Sequence, residues 1–243
     1  MAPSVILGYW TARGLGEPIR YLLEYAGQEF EDRRYDFGSS DPNEAEKIRE
    51  KWISDKTTLP EIVGGKGETA MDFPNLPYYI EVRPDGSKLK LTQSLTILRH
   101  LARKFDLVVE NRDDQTTLEL YEQQLHDIRS HAVGYAYNSS MVMPRFPNYK
   151  EDCKEILGQF EHILHGKTWL MGSKLTYVDF LLFEVLEWHM ALTKNEVLKD
   201  LPELRAFHQR FAELKPIKAY MTSNRFHSWP FTSPFAKNFG YFK

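Results

Sequence analysis

The sequence predicts a small α/β domain followed by an all-helical one. Over the first hundred residues, short apolar runs alternate with segments of helical spacing and end in a hairpin and a helix, the order of a βαβ-plus-hairpin sheet. Beyond a polar link at Glu110 to Asp114, apolar residues recur only three or four positions apart. With 243 residues to divide, both parts can bury a core. The predicted domains are residues 1–105 and 112–243.

Val5 to Trp10 is an apolar run too short for a helix and long enough for a buried strand. Arg13-Gly14-Leu15-Gly16-Glu17-Pro18 is a glycine-punctuated turn with its proline near a helix start. Ile19, Leu22, Leu23 and Ala26 follow at helical spacing, and Gly27 suits the C-terminal cap. Phe30 to Tyr35 is a second strand, and the charged stretch from Pro42 to Asp55 has helical composition. Pro77 to Val82, the turn Pro84-Asp85-Gly86 and Lys88 to Leu91 form the hairpin; Ser94 opens a helix with Leu95, Leu98, Leu101, Ala102 and Phe105 inward.

In the second part Leu118, Tyr121, Leu125, Ile128 and Ala132 mark one face of a long helix, and residues 149–164 are another helical segment. Tyr177 to Leu192 is apolar on almost every side, so this helix belongs at the centre of a bundle. Thr176-Tyr177-Val178-Asp179 is a capping box, with Leu175 and Phe180 placed to staple it. Leu201 to Met221 predicts two short helices divided at Pro216, and the Pro- and Ser-rich tail from Ser223 is expected to wrap the surface.

Composition narrows the function. Hydrophobic residues make up 42% and the mean hydropathy is -0.49, the profile of a soluble protein. A net charge of -3 supplies no basic field for nucleic acid or an anionic membrane, so neither is an expected partner. One cysteine, Cys153, excludes an internal disulfide and points to a reducing, cytoplasmic compartment; no function is assigned to it. The opening MAPSVILGYW has neither the basic nor the long apolar region of a secretory signal, and no apolar run is long enough for a membrane span. Phosphate-loop, Gly-x-Gly-x-x-Gly and Cys-x-x-Cys motifs are missing. His162 and His165 sit at helical spacing without the further ligands a metal needs, and read as surface histidines.

Tyr9 by itself is a strand-end tyrosine, half-buried with its hydroxyl in water. Its companions change that reading. Gly8-Tyr9-Trp10, Arg13-Gly14-Leu15, Asp72-Phe73-Pro74-Asn75-Leu76-Pro77-Tyr78, Thr92-Gln93-Ser94, Leu175-Thr176-Tyr177-Val178-Asp179-Phe180 and Ala219-Tyr220-Met221 together closely resemble the mu class of cytosolic glutathione transferases. The resemblance spans nearly the whole chain, and it rests on the order and spacing of these motifs more than on any one of them.

The resemblance implies a thioredoxin-like domain followed by an all-helical one that forms the electrophile pocket and part of a dimer interface. It implies conjugation of reduced glutathione, a co-substrate with no further cofactor or metal, to hydrophobic electrophiles in detoxification. Tyr9 would donate its hydroxyl hydrogen to the glutathione sulfur; a donor aimed at a thiolate lowers the thiol pKa and supplies more nucleophile. The helix start near Leu15 adds backbone donors and a favourable dipole. Asn75 and the Leu76 backbone would hold the cysteinyl part, with Pro77 as the family's cis proline. Gln93 and Ser94 would take the γ-glutamyl carboxylate, although plain N-capping accounts for them equally. Trp10, Arg49, Trp52 and Lys56 match ligands for the rest of the tripeptide, with Lys56 facing the glycyl carboxylate.

Asp127 matches a residue reaching the partner's γ-glutamyl amine in a homodimer, against a solvated helix charge beside Arg129. Phe73 matches the aromatic key inserted into the partner, against a core residue. Tyr137 matches a tyrosine that donates to the electrophile's oxygen, with Tyr135 as rival. Trp10, Leu15, Met141 and Phe231 supply apolar walls. The chain departs from the family between Lys56 and Asn75, where Leu59-Pro60-Glu61 and Gly64-Gly65-Lys66-Gly67 are expected to form an added loop, and at Arg83 to Gly86. The first addition leaves Lys51 or Lys66 as rivals to Lys56. Two other readings stay open, a non-catalytic carrier of apolar ligands on the same fold and an interaction module without small-molecule chemistry.

Overall fold

The computed structural model describes residues 4–39, 41, 44, 47, 49–137 and 149–236. The chain divides into two units. One comprises Met1–Leu101 with His227–Pro234, the other Ala102–Phe226 with Phe235–Lys243. The division thus falls inside a helix, three residues before that helix ends and earlier than the expected domain edge. The tail segment that sequence places on the surface belongs to the first unit instead.

The first unit is built on a four-stranded sheet in the order β2-β1-β3-β4, where β1 is Val5–Trp10, β2 Glu31–Tyr35, β3 Tyr78–Val82 and β4 Lys88–Thr92. The β1–β2 pair is parallel and joined by helix α1 (Glu17–Tyr25); β3 runs antiparallel to both β1 and β4. Alternation sends Val5 and Leu7 to the opposite face from Ile6. Ile19, Leu22 and Leu23 of α1 are buried, as are Ile97, Leu98 and Leu101 of α4 (Ser94–Lys104). Ile6, Tyr35, Trp52, Ile62, Met71, Tyr78 and Ile80 form a second buried cluster, to which α2 (Glu50–Thr58) and α3 (Pro60–Val63) contribute.

The added stretch before Asn75 is therefore not a plain loop. Its start folds as α3, Ile62 and Met71 are buried in the core, and the Met71 N–H donates to the Ile62 carbonyl at 2.8 Å. The apolar residues Leu59, Ile62 and Met71 outweigh the glycines between them.

The second unit contains α5 (Arg112–Ala136), α6 (Tyr149–Leu164), α7 (Tyr177–Leu192), α8 (Pro202–Ala212) and α9 (Lys215–Met221). Helix α7 is buried along most of its length, as its all-round apolarity requires. Its start is fixed by Asp179, whose carboxylate accepts the Leu170 N–H at 2.9 Å and the Thr176 N–H at 2.8 Å. Pro216 sits in the first turn of α9 rather than between the helices. Among the described residues no helix is long and apolar enough to cross a membrane, and no cluster of three or more His, Cys, Asp or Glu could hold a metal.

His189 lies at the core of this unit, 1% exposed, with its Nδ1–H donated to the Val185 carbonyl at 2.7 Å and its ring stacked on Tyr149. Burial, aided by His131, holds its imidazole down at about 4. The unfolded chain takes up this proton near pH 6.5, so its contribution to stability is complete above 6.5 and is lost as pH falls towards 4. Asp179, which burial pushes up to about 6, acts in the opposite sense over an overlapping window, so the comparison must be between variants. Urea unfolding at pH 7 and pH 4.5 should show His189→Asn losing about 2 kcal/mol less between the two than the natural chain. Equal losses would remove His189 as an acid-sensitive group.

Candidate functional site

The sheet topology gathers most of the sequence-selected residues at one end of the first unit. Tyr9 and Trp10 close β1; Gly8 pairs with Tyr78, which puts the Asn75-Leu76-Pro77 segment at the same end; Tyr78 pairs with Thr92, which brings Gln93 and Ser94 there too. Tyr9 and Leu76 are both buried in the cluster that includes Trp52 and Tyr78, and Trp10 and Leu15 pack against it.

Tyr9 is gripped by the turn that follows it. Its hydroxyl oxygen accepts the Leu15 N–H at 2.9 Å. A Cβ on Gly14 would lie 2.4 Å from that oxygen, and one on Gly16 would lie 2.5 Å from the ring. Gly14 also has a φ of +45°. Only glycine lets the backbone close on the tyrosine in this way. The Leu15 N–H engages one of the two lone pairs of the hydroxyl.

The turn itself is organised by a guanidinium. Arg20 of α1 is fully buried and donates from Nη1 to the Ala12 carbonyl at 2.9 Å and to Glu17 at 3.1 Å. Its Nη2 reaches the Trp10 carbonyl at 3.3 Å and its Nε reaches Asp32 at 3.0 Å. One side chain thus links the end of β1, the turn, the helix and β2. Sequence reasoning missed Arg20; the signal was a basic residue on the apolar face of α1, three positions after Glu17.

Around Trp10 the ring of Phe37 stacks at 4.9 Å, the Arg49 guanidinium lies 6.0 Å from the Trp10 ring, and the Arg49 N–H donates to the Phe37 carbonyl at 3.0 Å. Phe37 was not anticipated, because nothing in its local pattern marks it. Trp52, expected among the ligands, is 6% exposed in the same cluster as Tyr9 and Leu76, stacks on Tyr78 and meets Tyr35 edge-on. Lys56 is exposed on α2. Lys51, one turn earlier, has its ammonium 5.9 Å from the Tyr35 ring and pairs with the buried Asp55 at 2.5 Å. Lys66 lies exposed beyond α3. The hydroxyls of Tyr35 and Tyr78 bond each other at 2.9 Å, and burial above all holds both above the ordinary phenol range.

Leu76 is buried, its peptide to Pro77 is cis, and its N–H donates to Asn75 Oδ1 at 2.9 Å. Gln93 precedes α4 with a φ of +68°, and its carbonyl accepts the Ile97 N–H. Arg49 (φ +68°) and Phe73 (φ +50°) share that left-handed conformation, which costs a non-glycine residue energy and clusters where function holds it in place. Phe73 is not core: it is 82% exposed. Asp127 is exposed on α5. Tyr137 caps the C-terminus of α5 and is half-buried, whereas its rival Tyr135 stacks on Tyr149 at 3.9 Å. Asn138 and Met141 lie outside the described residues. Phe231, expected as a wall for the electrophile, is 6% exposed with the Arg13 guanidinium 4.5 Å from its ring.

A mixed four-stranded sheet, a βαβ-type parallel pair extended by an antiparallel hairpin and followed by a helix, defines a thioredoxin-like domain, here followed by a helical one. Residues 5–103 match the family model of the glutathione S-transferase N-terminal domain, and residues 126–224 that of the C-terminal domain. Glutathione S-transferase Mu 1 of Rattus norvegicus is 36% identical over 233 residues, covering 96% of this chain and 97% of that protein. Glutathione S-transferase Mu 1 of Oryctolagus cuniculus is 39% identical over 220 residues, covering 90% and 91%. The crystal structure of the glutathione S-transferase Blo t 8 superposes with a TM-score of 0.77 at 32% identity, covering 96% of this chain and 98% of that one. The chain belongs to the glutathione S-transferase family, and the relatives just described place it with the mu class.

Removing Arg20 leaves two carboxylates without their buried partner. Arg20→Met should lower unfolding free energy by about 3–5 kcal/mol, with Glu17→Gln on the same chain recovering part of it. Guanidinium unfolding of the single and double variants checks this; a loss below about 1 kcal/mol would show that the network is not what holds the turn.

Proposed function

We propose that Tyr9 activates the thiol of reduced glutathione for transfer to hydrophobic electrophiles, as a detoxifying reaction. As a glutathione S-transferase the chain is a glutathione-conjugating enzyme; the residue roles are the proposal. The observation that carries it is the Leu15 N–H bond to the Tyr9 hydroxyl at 2.9 Å, beside the start of α1. A sulfur seated at that hydroxyl receives its hydrogen, and the thiolate is stabilised relative to the thiol. Tyrosine acts as donor and stays protonated.

Trp10, Asn75, Leu76, Pro77, Gln93 and Ser94 bind the tripeptide backbone and its γ-glutamyl end. The Leu76 N–H, held to Asn75, is released to the cysteinyl carbonyl in the manner of an added strand. Arg49, Trp52 and Lys56 bind the rest of the tripeptide, with Lys56 facing the glycyl carboxylate: Arg49 lies beside Trp10, Lys56 is exposed on α2, and its rival Lys51 is already paired with Asp55. Tyr137 donates to the electrophile's oxygen, and Trp10, Leu15 and Met141 supply apolar surface to it. No cofactor beyond the co-substrate enters this scheme. The protein works as a cytoplasmic homodimer, in which an 82% exposed Phe73 finds its cover and Asp127 reaches the partner's site.

Tyr9→Phe should cut kcat/KM for a chloronitroarene by about 10–100-fold near neutral pH while the protein still binds a glutathione resin. Full activity in that variant would remove Tyr9 from the mechanism, and resin retention without turnover in the natural chain would favour an apolar carrier. For the glycyl end, Lys56→Ala should raise KM for glutathione about fivefold and Lys51→Ala by less, the loss of one partly exposed charge pair of about 1 kcal/mol. The reverse order would give the role to Lys51.

A further inference from the structure

The segment His227–Pro234 leaves the helical part of the chain and joins the first unit, where it meets the turn between β1 and α1. The contact is made by main chain. The Arg13 N–H donates to the Pro230 carbonyl and the Gly14 N–H to the Phe231 carbonyl, both at 2.9 Å. Side chains reinforce it. The Arg13 guanidinium is 1% exposed, lies 4.5 Å from the Phe231 ring and donates from Nη2 to the Tyr21 hydroxyl at 3.0 Å. Trp229 in turn meets Phe231 edge-on at 5.7 Å. A cation over an aromatic face away from water is a strong form of that contact.

What this strap grips is the residue pair immediately before the donor to Tyr9. The Arg13 carbonyl accepts the N–H groups of Gly16 and Glu17, which sets the first turn of α1, and Gly14 is followed by Leu15, whose N–H meets the Tyr9 hydroxyl at 2.9 Å. The turn holds two glycines and has little stiffness of its own. Its N–H groups at 13 and 14 are satisfied by the tail. A displacement of well under an ångström would take the Leu15 bond beyond useful length.

We infer that His227–Pro234 is a positioning strap for the catalytic turn, with Phe231 as its principal positioning residue. The tail holds Arg13 and Gly14, they hold the Leu15 N–H on Tyr9, and Tyr9 presents its hydrogen to the sulfur. This assigns Phe231 to thiolate stabilisation and not to the electrophile's wall. The inference rests on the proposed role of Tyr9, so its test includes a variant of that residue.

The test is the pKa of the enzyme-bound glutathione thiol, read from the ultraviolet band of the thiolate against pH, together with the pH profile of kcat/KM. Phe231→Ala should raise the bound-thiol pKa so that the thiolate present at pH 6.5 falls about 3–10-fold, while KM for glutathione moves less than about twofold. Phe231→Tyr, which keeps the ring over Arg13, should restore the pKa. A uniform loss of activity at every pH with the bound-thiol pKa unmoved in Phe231→Ala would overturn the strap. So would a rise in Phe231→Tyr equal to that in Phe231→Ala. An unmoved pKa in Tyr9→Phe would overturn the role of Tyr9 and the strap with it; a rise there with none in Phe231→Ala would overturn the strap alone.

Discussion

The buried guanidinium of Arg20 is the constraint on which the rest of the site depends. It brings its charge out of water and is compensated by Glu17, Asp32 and two main-chain carbonyls, those of Trp10 and Ala12. Each of those partners belongs to a different piece of structure, so the ion network fixes where β1 ends and at what angle α1 leaves it. Apolar side chains replacing the whole network, Arg20 together with its carboxylate partners, could fill the same volume at similar stability. They could not dictate the path of two carbonyls. What the network contributes is geometry, and the geometry is that of the residue just before Trp10, the tyrosine.

That division of labour runs through the first unit. Regular elements supply rigid ends, and the residues selected for function occupy the irregular positions between them. Arg49, Phe73 and Gln93 all stand in the left-handed region without being glycine. Such a conformation persists only where its surroundings determine it, here the N-terminus of α2, the approach to Leu76 and the start of α4. Tight turns at the edge of a close-packed core hold side chains more firmly than open loops of the same length.

Sequence patterns revealed the elements whose evidence is local. The bounds of β1, α6 and α7 follow from apolar runs and periodicity, and the α7 cap follows from Thr176 and Asp179, because four consecutive residues suffice to make it. The site was legible in its motifs but not in its faces. Trp52 is an aromatic in a charged segment, and only the packing of Tyr35 and Tyr78 against it turns it inward. Choosing between Lys51 and Lys56 requires knowing which side of α2 is buried, and with Trp52 and Asp55 the buried residues the pattern is too sparse to tell. The tail is the clearest case. Prolines and serines describe an exposed segment, yet Phe231 and Ser233 are both 6% exposed. The cause is a pair of main-chain hydrogen bonds to residues more than two hundred positions away, which no local pattern encodes.

The same accounting of hydrogen bonds bears on the role proposed for Tyr9, a donor that stays protonated. A phenol has one hydrogen to give and two lone pairs to receive with. At Tyr9 the Leu15 N–H takes one lone pair, which favours charge moving towards the oxygen and so strengthens the hydroxyl as a donor. Two other tyrosines of this unit, Tyr35 and Tyr78, spend their hydroxyls on each other in the core, where burial makes ionisation harder. Tyr9 differs in standing near the end of β1 with its hydroxyl on the turn that follows, where the proposed sulfur would meet it. Sulfur is large and its anion diffuse, so one well-aimed donor, held still, shifts its proton equilibrium more than a mobile one of equal strength, because no reorganisation is needed when the charge forms. The stiffness of the turn is therefore as much a part of the chemistry as the phenol itself.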